Sequence, residues 1–248
     1  MLMAIHEARS AQRQAAGGIF STSLLGNLFL VFLLAVFVAS DTCHIAIGDE
    51  GPKKSNVADM AMRPYRNGPL TAADFRCPPP NPLPQKNGVY LSAMTYTSLH
   101  YNTHYRWHDS PSGKFEARLT GFEIVAEVDR RQSWTTRPTD ERLLDHEQGH
   151  FDVTEMWARR IQNKFNDLVA RGVIVGHGDD QTSAIADMDQ QVDSNLQTML
   201  DDEHKAQDQY DIATRHGTNY KAQADERQKQ AVALHGKTAA APFKEDSP

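Results

Sequence analysis

Cysteine is nearly absent from this chain: Cys43 and Cys77 are the only two in 248 residues, so at most one intramolecular disulfide can form. Basic blocks are absent as well. The formal net charge is -6, and beyond residue 40 the balance is 24 Lys and Arg against 31 Asp and Glu, which gives no footprint for a nucleic-acid partner. No internal repeat occurs, which excludes a solenoid or a propeller. Long apolar runs are confined to one place near the N-terminus, from about Leu24 to Ala39.

That run follows a polar, weakly basic stretch carrying Arg9 and Arg13 and ends in small residues before Asp41, the pattern of an export signal. Val38-Ala39-Ser40 supplies small residues suited to cleavage after Ser40. Counted from Ile19 instead, residues 19–39 approach the roughly 20 residues that span a bilayer, so an uncleaved membrane anchor is the alternative. Either way the remainder is expected to be exported, periplasmic or extracellular, where Cys43 and Cys77 can pair. The expected organisation is 1–40 export signal or membrane anchor, 41–65 linker, 66–230 folded domain and 231–248 flexible tail.

Within the domain, Pro69 to Lys86 contains Cys-Pro-Pro-Pro and Asn-Pro-Leu-Pro and is expected to be an extended loop. Val89 to Trp107 and Phe115 to Val128 alternate as strands do, and Asp109-Ser110-Pro111-Ser112-Gly113 between them has turn chemistry. A long helix is expected from a cap near Asp140 to about Arg171, a turn at Gly172, Gly176 and Gly178, and a second helix from about Thr182 to Arg215 that Gly217 ends. From Ala222 the chain is polar and is expected to be helical only at its start. The fold class is therefore α+β, a small antiparallel sheet packed on two long antiparallel helices.

The first of these helices opens with His146-Glu147-Gln148-Gly149-His150. Histidines four apart project from the same face one turn apart and can reach a single metal ion, while Glu147, about 100° round the helix, is placed to activate water as a general base. Projecting the apolar stripe of Trp157, Ile161, Phe165 and Leu168 backwards through Val153 reaches both histidines, which puts them on the buried face. Buried imidazoles require partners for both ring nitrogens, and a metal supplies one. The competing reading is a pair of hydrogen-bonded core histidines with Glu147 in a surface ion pair. His100, His104 and His108 share one side of a strand, but about 13 Å between neighbours is too far for one metal.

A catalytic zinc takes three protein ligands and an open position. Asp152 and Glu155 point away from the metal side of the helix, and Glu155 is spaced to pair with Arg159. If the helices pack antiparallel through a tight turn, Glu203 and His204 fall level with the histidine pair; His216, where the second helix stops, is the other candidate.

The segment Leu143-Leu144-Asp145-His146-Glu147-Gln148-Gly149-His150-Phe151-Asp152, with Tyr210-Asp211-x-x-Thr214-x-His216-Gly217 downstream, resembles the bacterial domain of unknown function 922 family, described as predicted secreted zinc-dependent proteases. Leu70-Thr71-Ala72-Ala73-Asp74-Phe75 and Ser133-Trp134 are similar to it too, so the resemblance covers about 66 to 230. It implies a minimal zincin-like fold with zinc on His146 and His150, Glu147 as base, and His216 favoured as third ligand. The expected function is an exported zinc peptidase acting on a peptide or protein substrate through zinc-activated water. Tyr210 is a candidate catalytic donor to the oxyanion, or simply packs, and Phe115 to Val128 could hold an extended peptide by strand addition. The alternatives are a non-catalytic, zinc-containing domain that binds another envelope protein, and a hydrolase acting on a different amide.

Overall fold

A computed structural model describes residues 61–86, 88–110 and 113–236. The apolar segment 19–39, Cys43 and therefore its pairing with Cys77, and residues 237–248 lie outside the described residues.

The fold is mixed α and β. Strands β1 (Met62–Pro64), β2 (Gln85–Lys86), β3 (Val89–Tyr90), β4 (Ala93–Met94), β5 (Thr97–Asp109), β6 (Phe115–Asp129) and β7 (Trp134–Thr135) precede helix α1 (Glu141–Arg171), strand β8 (Val175–Gly178), helix α2 (Gln181–Thr214) and helix α3 (Tyr220–His235). Long β5 and β6 form the expected antiparallel hairpin, which pairs Thr97 with Val128 at one end and Asp109 with Phe115 at the other. A β-bulge interrupts the register between His104 and Tyr105. The expected linker 41–65 ends inside the fold, since Met62–Pro64 pair with Glu127–Asp129. The expected glycine turn after α1 contains β8, which pairs with Phe115–Arg118 at the far end of β6.

These two short partners take up the second edge of β6, and Gln162 of α1 covers the stretch between them, its Oε1 accepting from Ile124 N at 3.1 Å and its Nε2 donating to Phe122 O at 2.7 Å. Strand addition to β6, expected from sequence, is therefore blocked.

The helices lie on the sheet through a core of Leu119 and Phe122 from β6, Ile161 and Phe165 from α1, and Met188 and Val192 from α2. Phe122 and Phe165 stack with centroids 3.9 Å apart. A Cβ on Gly176 would lie 2.0 Å from Ala184 O, so a glycine there lets α2 approach the backbone of β8 directly. Asp140 caps α1 by accepting from Leu143 N at 3.1 Å, and Gly172 ends it at φ 61°. Trp157 is only half-buried and carries Arg160 over its ring; Thr154 and Ala158 hold the buried positions of that turn instead.

Helix α3 extends five residues past the expected start of the tail. It docks on α1 through polar groups: Arg227 Nε binds Asp145 Oδ1 at 3.0 Å, its Nη1 binds Asp152, and Gln230 Nε2 donates to Gly149 O at 3.1 Å.

Candidate metal centre

The buried stripes of α1 and α2 are apolar at one end of the helix pair and polar at the other. On α2 the sequence Ile185, Met188, Val192, Leu196, Leu200 continues at the same spacing as Glu203, Gln207, Tyr210, Asp211 and Thr214, all buried. On α1 the corresponding positions are His146, Glu147, His150 and Thr154. The helices run antiparallel so that Thr154 meets Glu203, His150 meets Gln207 and Asp211, and His146 meets Asp211.

His146, His150 and Asp211 are each buried, and one ligand atom from each lies within 4.8 Å of the others. Asp211 Oδ1 is 3.0 Å from His150 Nε2 and 3.4 Å from His146 Nε2. Four donors at zinc bond lengths of about 2.0–2.1 Å in a tetrahedron stand roughly 3.3 Å from one another, so the carboxylate oxygen is spaced from both imidazoles as co-ligands of one ion are. The donor set, two imidazoles and one carboxylate, suits zinc chemistry.

The second oxygen of Asp211 accepts from Lys86 Nζ at 2.9 Å, and the same ammonium binds Asp208 at 2.8 Å. Burial alone would raise the Asp211 carboxyl, but hydrogen bonds from His146, His150 and Lys86 and the charge on His150 hold it well below the usual carboxylate range. Burial opposes a charged His150, yet the Asp211 carboxylate outweighs it and raises that imidazole above its ordinary value.

Glu147 is 3 % exposed, so it is not in the surface ion pair of the competing reading; its Oε2 accepts from Thr95 Oγ1 at 2.6 Å. Both histidines, Glu147 and Asp211 line one cleft, which the segment 89–95 just before β5 also lines.

The expected third ligands fall in different places. His204 is half exposed and contacts Glu203 at 3.8 Å; Glu203 faces Gln207 and Thr154, one turn before Gln207 on α2 and so two turns before Asp211. His216 does line the cleft, with Nδ1 3.3 Å from Asp211 Oδ1, but it is not in the compact group of His146, His150 and Asp211. Helix α2 stops at Thr214, before Gly217, and Arg215 and His216 take φ of 50° and 51°. Two consecutive non-glycine residues in this region cost about 1–2 kcal/mol each, a strain that turns His216 towards Asp211.

Tyr210 is not at the cleft. Its ring stacks on His146 with centroids 5.1 Å apart, its hydroxyl donates to His146 O at 3.3 Å, and burial pushes that phenol up. The hydroxyl is turned into the α1 backbone, the placement that goes with the packing alternative given for it. Gly217 backs the same histidine: at φ 77° it would place a Cβ 3.0 Å from His146 Cγ. Asp152 and Glu155 point away as expected, Glu155 binding Arg159 at 2.8 Å. His104 and His108 make cross-strand contacts with Glu123 and Glu116.

Asp211, Thr95, Lys86 and Gln207 were not singled out as site residues by sequence. The signal for Asp211 and Gln207 was the run of polar residues at core spacing on α2; Thr95 lies between β4 and β5, and Lys86 in the two-residue strand β2, too short to carry such a signal. In comparisons with family models, with curated proteins and with solved structures, nothing matches this chain.

Proposed function

We propose that this chain is a zinc-dependent peptidase in which His146, His150 and Asp211 hold the metal and Glu147 is the general base. The observation that carries the reading is the buried cluster of two imidazoles and a carboxylate, with Glu147 from the same helix facing the same cleft. Bound zinc supplies Lewis-acid polarisation of a carbonyl and acidifies water. Thr95 holds Glu147 by Oε2, which leaves Oε1 to accept the proton of an attacking water and to return it to the departing amine. Asp211 keeps its charge next to the imidazoles, and Lys86 fixes its rotamer. An extended peptide fits along the cleft wall at 89–95, where β4 pairs with β7 on one edge and, among the described residues, with no strand on the other.

The resemblance to the domain of unknown function 922 family points to the same chemistry, and residues 1–40 to an exported setting. No helix among the described residues is long and apolar enough to cross a membrane.

The test is hydrolysis of an unfolded protein substrate by the native chain and by Glu147→Gln. The variant should keep its zinc and lose turnover; unchanged hydrolysis would overturn the reading. A second reading is favoured by His216: a fourth protein donor would close the site, as in structural zinc centres, and leave a non-catalytic domain that binds an envelope protein. Zinc retained with no hydrolysis by either chain would support it.

A further inference from the structure

Gln207 lies one turn before Asp211 on α2 and is 2 % exposed. Its side-chain nitrogen donates to Glu203 Oε1 at 2.7 Å, to Thr154 Oγ1 at 3.0 Å and to the His150 carbonyl at 3.1 Å. A backbone carbonyl can only accept, so the amide has one workable orientation: nitrogen towards His150 O and Glu203, oxygen towards His150 Nδ1 at 2.7 Å. That oxygen has no hydrogen to give. The contact is a hydrogen bond only if His150 Nδ1 carries the proton, which in the neutral ring leaves the lone pair on Nε2. In that neutral ring Nε2 faces Asp211 Oδ1, 3.0 Å away, lone pair to lone pair: a proton between them gives the charged His150 described above, and a metal cation takes the same place when it binds.

We propose that Gln207, itself oriented by Glu203, is a positioning residue of the metal centre, which holds His150 in the one tautomer whose Nε2 can ligate. The three side chains at successive turns of α2 divide the work: Glu203 orients the amide, Gln207 sets the imidazole, Asp211 ligates. The inference rests on the metal-binding part of the proposed function and not on peptidase activity.

Zinc affinity, measured by chelator competition on the full chain, tests it. Gln207→Met keeps the length of the side chain and removes the acceptor; it should weaken zinc binding about 10–100-fold, the usual effect of losing an outer-shell partner, while metal-free circular dichroism stays native. Should that variant fail to fold because Glu203 loses its donor, the exchange of Gln207→Glu with Glu203→Gln decides. It restores an acceptor for Nδ1 and a donor between the two positions, although a carboxylate oxygen then faces His150 O, and it should still bind zinc. Native affinity in a folded Gln207→Met, or a folded exchange variant that has lost zinc, would overturn the inference. A native chain that binds no zinc overturns it together with the metal centre. Tight zinc without hydrolysis removes the peptidase reading alone.

Discussion

Gly149 sits in the interior of α1, where glycine weakens a helix by about 1 kcal/mol relative to alanine. Tyr210 explains it: a Cβ at Gly149 would lie 2.1 Å from the phenol oxygen and 2.4 Å from Cζ. Gly149→Ala should gain helix propensity and still destabilise the metal-free chain by about 1–3 kcal/mol in thermal melts, because the buried ring stacked on His146 has nowhere to go. An unchanged melt would mean that Tyr210 can leave its seat without consequence. At this scale the sequence was legible where the chemistry is local. His146, Glu147 and His150 could be read because one helix fixes their mutual geometry. Asp211 could not, since its partners lie more than sixty residues away and its place depends on how two helices align.

The alignment is a property of elements. Counting back through a tight turn put Glu203 and His204 opposite the histidine pair, whereas Gln207 and Asp211 are there. The connection between α1 and α2 is longer than a turn because it contains β8, a strand whose short Val-Gly-His-Gly sequence lacks the alternation that marks strands. Helix α3 was missed beyond its start for a related reason: its buried residues are Gln223, Arg227, Gln230 and Leu234, so it has no apolar stripe to read. Arg227 is its anchor, bridging Asp145 and Asp152 on either side of the His146–His150 turn. Arg227→Met would leave two carboxylates without their cation, Asp152 buried and Asp145 half-buried. Removing one partner of such a network typically costs about 3–5 kcal/mol, and urea denaturation of the metal-free variant should show a loss of that order. A loss under 1 kcal/mol would place α3 outside the cooperative fold.

For the whole molecule, the α+β class and the pairing of a central hairpin with two long helices followed from periodicity and turn chemistry, since β5, β6, α1 and α2 are each long enough for their pattern to dominate. The site is the place where that pattern changes character, as the buried faces of α1 and α2 turn from apolar to polar at matching depths. Burying His146, Glu147, His150 and Asp211 together is costly for a metal-free fold, and a bound cation offsets the cost. Zinc at 100 times its dissociation constant should therefore stabilise the chain by about 2.7 kcal/mol, seen as a rise in melting temperature that a chelator reverses and that His150→Ala abolishes. An equal rise in His150→Ala would show that the stabilising zinc binds elsewhere.

Zinc content decides the central claim. It is to be measured on the purified, metal-replete native chain beside Asp211→Asn and His216→Ala. The expected result is about one zinc per chain in the native protein, lost in Asp211→Asn and kept in His216→Ala. Zinc kept in Asp211→Asn and lost in His216→Ala would give the third position to His216, and no zinc in the native chain would contradict the metal centre itself.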